Sequence, residues 1–176
     1  VMAPYCYRCP FNRAQPERAD ARTYRRCNWE CVGKVEQKFS AQKRKGNPYA
    51  GFVFEPHMQG AAGLIAQPKG WLPRVTALAR EHGALLIADE VMTGFGRTGT
   101  FLACEQAKVT PDILCLAKGI TGGSTPLAVT LASAPIFDAH YSEDRRKTFF
   151  HSSSYTANPI ACAAAVANLD IWDDEQ

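Results

Sequence analysis

Residues 111–123 read PDILCLAKGITGG. Ile113, Leu114, Cys115, Leu116 and Ala117 make an unbroken apolar run, short enough for a buried strand and ended by glycines. The run stops at Lys118, and lysine is rarely buried without a partner. Its amine either snorkels to the surface at the strand end or serves as a chemical group inside the protein.

The same pattern recurs upstream. Phe52-Val53-Phe54 ends at Glu55, and Ala84-Leu85-Leu86-Ile87-Ala88 ends at Asp89. Leu127 to Ala132 reads as a further strand. Between the strands, Trp71, Leu72, Val75, Leu78 and Ala79 recur at helical spacing, and Gly83 stops that helix. A weaker helical piece runs from Val32 to Phe39. Asn158 followed by Pro159 marks a helix start, with Ile160, Ala164, Ala167 and Ile171 along one face. Apolar strands alternating with helices predict a largely parallel sheet covered on both sides. Ligands of such sheets gather at the carboxyl ends of the strands, where Glu55, Asp89 and Lys118 all fall.

Composition places few limits on this picture. The 176 residues are 46% hydrophobic and 21% charged, enough for one core. No apolar run approaches the roughly 18 residues of a membrane helix, and the N-terminus has no signal-peptide pattern. The net charge of +3 is uneven. Residues 1–46 carry eleven Lys or Arg against four Asp or Glu, so the remainder is acidic. A basic arm suits nucleic acid or an acidic membrane, but no recognisable nucleic-acid module accompanies it, and a solvated surface accounts for it equally. No nucleic-acid or membrane partner is expected.

Seven cysteines divide into two groups. Cys6, Cys9, Cys27 and Cys31 read C-x2-C-x17-C-x3-C, close to the spacing of a four-thiolate zinc site. Cys104, Cys115 and Cys162 sit in apolar surroundings and read as core residues. An odd count argues against a disulfide framework and for a reducing compartment. His57, His82, His140 and His151 show no ligand spacing.

Gly94 to Gly99, GFGRTG, matches the dinucleotide fingerprint in letters only. Asp89 to Thr93 intervene after the strand, and no acidic ribose partner follows at the right distance. Asp89 and Lys118 offer more. An aspartate at a buried strand end is costly without a cation. The two could meet as an ion pair, or a flat cationic heterocycle such as pyridoxal phosphate could lie between them. In that case lysine holds the aldehyde and aspartate keeps the pyridine nitrogen protonated.

Three stretches, LLIADEVMTGFGRTG, PDILCLAKGITGG and HSSSYTANPIACAAA, together resemble the class III (ω-type) aminotransferases of fold type I. The resemblance runs from about Pro4 to the end and is densest from Phe52 to Trp172. It implies an α/β, three-layer αβα PLP-transferase large domain with a mostly parallel sheet, present as a partial domain. Residues 1–46 would be a basic, irregular arm of that domain and residues 47–176 its second half. The upstream part and the small C-terminal domain would be absent, and activity of so short a chain would be incomplete.

The resemblance also implies roles. Lys118 would be the Schiff-base lysine, Asp89 the pyridinium partner and Val91 a residue pressed against the ring. Ser153 and Ser154 match positions that bind the cofactor phosphate, usually from a neighbouring subunit. Ser152 matches a substrate contact, and Glu55 and Arg97 lie on the substrate side. Many members place a glutamine where this chain has Met92; the biotin-pathway branch lacks it, and PYCYRCPF and HSSSYTANPIACAAA also resemble that branch. That branch implies a cytoplasmic homodimer moving an amino group from S-adenosylmethionine to 8-amino-7-oxononanoate, which yields 7,8-diaminononanoate. Two alternatives stand beside it. One is a class III enzyme acting on another ω-amino acid or diamine, and the other is a noncatalytic zinc module built on Cys6, Cys9, Cys27 and Cys31.

Overall fold

The structure, a computed structural model, describes residues 1–14, 25–151 and 153–174. Its centre is a four-stranded sheet of β1 (Gly51–Phe54), β4 (Leu85–Asp89), β5 (Ile113–Ala117) and β6 (Ala128–Ala132), in that spatial order. β1, β4 and β5 are parallel, and β6 returns antiparallel to β5. Between β1 and β4 lie a small antiparallel pair, β2 (Met58–Gln59) with β3 (Ile65–Ala66), and the helix α2 (Trp71–Glu81). The strands and the parallel order expected from the apolar runs are present.

Helix α2 forms because its apolar residues fall on one stripe. Trp71, Leu72, Val75, Thr76 and Ala79 are all buried. Gly83, at φ +74°, closes its end by donating its N–H to the Arg80 carbonyl at 2.9 Å. The longer α1 (Glu30–Arg44) buries Cys31, Val35 and Phe39 at spacings of four. Those stripes meet Phe54, Leu86 and Ala88 in one core, with Leu114 packed against it.

Strand alternation sends the other side chains to the opposite face. There Val53 is 64% exposed and Leu85 39% exposed. Among the described residues, then, α2 covers one face of the sheet, while the face bearing Val53 and Leu85 stays open. Asp89 pairs with Cys115 in the ladder and, two residues on from Ile87, belongs to this open face.

Three further helices follow among the described residues: the short α3 (Ala103–Gln106) and α4 (Ala134–His140), and the 16-residue α5 (Pro159–Asp174). The Asn158 carboxamide oxygen accepts from the Ile160 and Ala161 N–H groups at 3.0 and 3.3 Å, the cap its sequence position predicts. The buried face of α5 differs from expectation. Ala161 and Ala165 are buried, whereas Ile160 is 73% and Ile171 55% exposed. The inward stripe continues through Asn168 and Trp172, because Trp172 packs on Phe101 and Gly96 while Asn168 bonds to main chain. Contact with a glycine-lined loop selects a small, partly polar stripe over the more apolar one.

Candidate active site

β1, β4 and β5 run in one direction, so Glu55, Asp89 and Lys118 emerge together at the carboxyl end of the sheet. Each is fixed differently. Asp89 is half-buried, and its Oδ1 accepts the Val91 N–H at 3.0 Å. Among the described residues its other oxygen has no hydrogen-bond partner. Val91, half-buried itself, thus orients the carboxylate through its main chain.

Glu55 Oε2 accepts the Gly60 N–H at 2.8 Å. The buried Gln67 side chain donates to the Glu55 carbonyl at 2.6 Å and accepts from the His57 N–H at 3.1 Å, which folds the β2–β3 pair back on the strand end. A Cβ at Gly60 would meet the Met92 sulfur at 2.5 Å, so the flexible thioether would have to give way. Met92 and Glu55 therefore flank one small loop. Beside it lies a cavity of about 210 Å³, whose wall includes Glu55, Gln67 and Trp71. Among the described residues the buried Trp71 Nε1 has no hydrogen-bond partner.

Lys118 is exposed, and its backbone is left-handed at φ +51°. For a residue with a Cβ that conformation costs on the order of 1–2 kcal/mol. The strain is held by its surroundings. Lys118–Thr121 form a 3-10 turn in which Ile120 and Thr121 are buried, and the Gly123 N–H returns to the Lys118 carbonyl at 3.2 Å. Among the described residues Lys118 makes no ion pair, so the direct Asp89–Lys118 contact is not formed. A free amine and a carboxylate with one open oxygen share a strand edge, which is the donor set that a protonated pyridine aldehyde requires.

Glu90 went unassigned in the sequence and proves central. It is fully buried, and its carboxylate accepts from Thr93 Oγ1 at 2.9 Å and from the Ala103 and Cys104 N–H groups at 2.8 Å each. Its own N–H donates to the Cys115 carbonyl at 3.0 Å, joining β4 to β5 immediately beside Asp89. Burial, and then the nearby Glu90 charge, push the Cys104 thiol up. The available signal was a second acid at a strand end, too costly to bury without several donors.

Arg97 is exposed in the loop after Asp89, at the turn where Phe95 and Gly96 have positive φ. Ser153 and Ser154 are exposed on the turn before α5, and the Ser153 N–H and hydroxyl both meet Thr156 Oγ1, at 3.1 and 3.2 Å. Among the described residues neither serine bonds to Asp89 or Lys118. Ser152 lies outside the described residues.

The four-cysteine pattern has a different outcome. Cys6, Cys9, Cys27 and Cys31 are free thiols that lie near one another. Burial, with the neighbouring thiols adding to it, pushes Cys6 up to about 11, so it stays protonated at neutral pH. Among the described residues, no group of three or more His, Cys, Asp or Glu side chains is arranged to hold a metal ion. The zinc module therefore has no support. Among the described residues, no helix is long and apolar enough to cross a membrane.

Comparison with known proteins agrees with this geometry. The family model "Aminotransferase class-III" matches residues 2–176. The adenosylmethionine-8-amino-7-oxononanoate aminotransferase of Nitratidesulfovibrio vulgaris is 48% identical over 99% of this chain and 30% of its own length. The protein of the same name from Geobacter sulfurreducens is 45% identical over 99% of this chain and 36% of its own length. An amine transaminase from an uncultivated Pseudomonas species, solved in its PLP-bound form, superimposes with a TM-score of 0.80. It is 37% identical, over 98% of this chain and 36% of its own. The chain spans about a third of the length of the curated relatives it matches. With the family model covering nearly every residue and the strand-end acid and amine in place, the chain belongs to the class III aminotransferases.

Proposed function

We propose that this chain is part of a pyridoxal-phosphate-dependent transaminase and that Lys118 is its catalytic residue. The observation that carries the proposal is the unpaired Lys118 amine, held on a left-handed backbone at the same sheet edge as the half-open Asp89 carboxylate. When bound, pyridoxal phosphate supplies an electron sink for the carbanion left by loss of an amino donor's α-proton.

The chain's own residues do the rest. Lys118 Nζ would hold the cofactor's aldehyde and would carry the donor's α-proton as general base and acid. Asp89, whose Oδ1 accepts the Val91 N–H, would keep the ring nitrogen protonated. Val91 would pack against the ring. Ser153 and Ser154 offer short hydroxyls and N–H groups to the phosphate of an adjacent subunit's cofactor in a homodimer. Ser152, Glu55 and Arg97 lie on the substrate side. Residues 47–176 serve as the second half of the cofactor-binding large domain, and residues 1–46 as its basic arm.

The names carried by the relatives support S-adenosylmethionine as donor and 8-amino-7-oxononanoate as acceptor; the setting proposed for that step is biotin synthesis in the cytoplasm. A second assignment, to another amine or ω-amino acid, draws support from the similarity to the Pseudomonas amine transaminase. Borohydride treatment of the complete protein with pyridoxal phosphate is expected to fix the cofactor on the peptide holding Lys118, and Lys118→Ala to abolish the label. Labelling elsewhere, or none in the wild type, sinks the assignment. A donor panel then separates S-adenosylmethionine from simple amines.

A further inference from the structure

The turn that carries Lys118 is not held by the sheet alone. Asn168, on the inward stripe of α5, donates both hydrogens of its carboxamide to that turn: to the Gly119 carbonyl at 3.0 Å and to the Ile120 carbonyl at 3.2 Å. Its Oδ1 lies 3.3 Å from where a Cβ on Gly122 would stand, so the turn closes directly over the side chain. From the other side Phe95 supports Gly119, where a Cβ would sit 2.7 Å from the Phe95 Cβ.

These contacts bear on the residue immediately before them. Lys118 is exposed, so burial does not compel its left-handed backbone, and the conformation persists only because the following residues are over-determined. Thr121 Oγ1 fixes the far end of the turn through the Thr125 carbonyl at 2.7 Å. At the near end, Asn168 is the side chain that bonds to the two carbonyls following the lysine, the first of which also accepts the Gly122 N–H at 3.0 Å. Helix α5 begins at Pro159, capped by Asn158, just after the turn with Ser153 and Ser154, so one helix joins the serine turn to the lysine turn.

We infer that Asn168 is a positioning residue for the Lys118 amine, acting through the Gly119 and Ile120 carbonyls. This rests on the assignment of Lys118 given above. An aspartate at this position has nearly the same shape but no N–H groups, and it sets carboxylate oxygens against two carbonyls. The lysine turn then loses its anchor, and the amine no longer returns to one place after each proton transfer.

The test compares wild type, Asn168→Asp, Asn168→Ala and Arg80→Ala in the complete protein loaded with pyridoxal phosphate. Arg80→Ala is a control for general destabilisation at the opposite end of the sheet. Both Asn168 variants are expected to lose at least about tenfold in kcat, the scale of a small misplacement of reacting groups. KM for the amino donor should stay within about twofold, since no substrate contact is removed. The pH midpoint of the cofactor's visible band should move by about half a unit or more, because it reports the amine's surroundings. The rate of Lys118 acetylation by acetic anhydride in cofactor-free protein should change as well, a readout independent of turnover. If Asn168→Asp and Asn168→Ala melt earlier, as Arg80→Ala does, yet keep wild-type kcat, band midpoint and acetylation rate, Asn168 is structural only and the inference is overturned. If wild type itself carries no label on Lys118, the assignment of function fails and the positioning role falls with it.

Discussion

The two ends of the sheet treat charge in opposite ways. At the amino end of β5, Asp112 is fully engaged. It forms an ion pair with Arg80 at 2.7 Å, accepts the Leu86 N–H at 2.6 Å, and returns its own N–H to the Leu86 carbonyl at 2.9 Å. That carboxylate stitches α2, β4 and β5 together. At the carboxyl end, among the described residues, Asp89 keeps one oxygen open and Lys118 makes no ion pair, although a cation and an anion emerge from adjacent strands. One end spends its charges on the fold, and the other holds them in reserve for a ligand. Unpaired groups of opposite sign kept apart on rigid strands are what a binding site needs and what a structural ion pair would destroy.

Glu90 tests that contrast most severely, since it is a structural carboxylate at the functional end. Glu90→Ala strips the Ala103 and Cys104 N–H groups and the Thr93 hydroxyl of their buried acceptor, with an expected cost of about 3–5 kcal/mol. Denaturant unfolding reads this directly, and a cost under about 1 kcal/mol would remove Glu90 from the scaffold. Asp112→Ala should cost about 2 kcal/mol, chiefly through the Leu86 N–H, because its Arg80 partner is well exposed. Cofactor labelling at Lys118 should persist in that variant, and its loss would show the two ends to be coupled.

The arm offers a smaller, pH-dependent effect away from both ends. Unfolded, the Cys6 thiol ionises near 9.0, and folded it does so near 11. The folded state therefore holds its proton where the unfolded state has released it. The associated stability is complete below pH 9 and is lost as pH rises toward 11, on the order of 1–2 kcal/mol. Melting temperature followed from pH 8 upward should fall in that window for wild type and less steeply for Cys6→Ala. The smallest effect has the opposite sign. Lys118→Gly relieves the left-handed backbone and should stabilise the protein by about 1 kcal/mol while abolishing cofactor labelling. A glycine variant that is less stable would show that the strain at Lys118 is compensated locally.

What the sequence reveals follows from how each feature is encoded. The strands and their shared edge are legible because apolar runs ending in Glu55, Asp89 and Lys118 depend on local patterning alone. Helix α2 and the Asn158 cap are legible for the same reason. The face of α5 is not, because its orientation depends on Trp172 and Asn168 meeting Gly96 and Gly119, 76 and 49 residues earlier, and periodicity favours the wrong, more apolar stripe. Glu90 is unreadable beside Asp89 because the two acids differ only in which side of the pleat they occupy. The φ of Lys118 and its support by Asn168 are tertiary facts with no local signature. The three motifs together identify the family better than any one residue identifies its role.

Trp29 carries a last consequence. The Arg25 and Arg74 guanidiniums lie over its indole at 3.8 and 4.3 Å from the ring centroid, joining residues 25–29 to the start of α2. Among the described residues no carboxylate takes part in this clasp. Its attraction is between cation and ring face at contact distance, which dissolved ions hardly reach, whereas the two like charges repel over a range that salt screens. Brine, which loosens most charged joints, leaves this one as tight as before or tighter, and the indole's own fluorescence is the gauge that reads it.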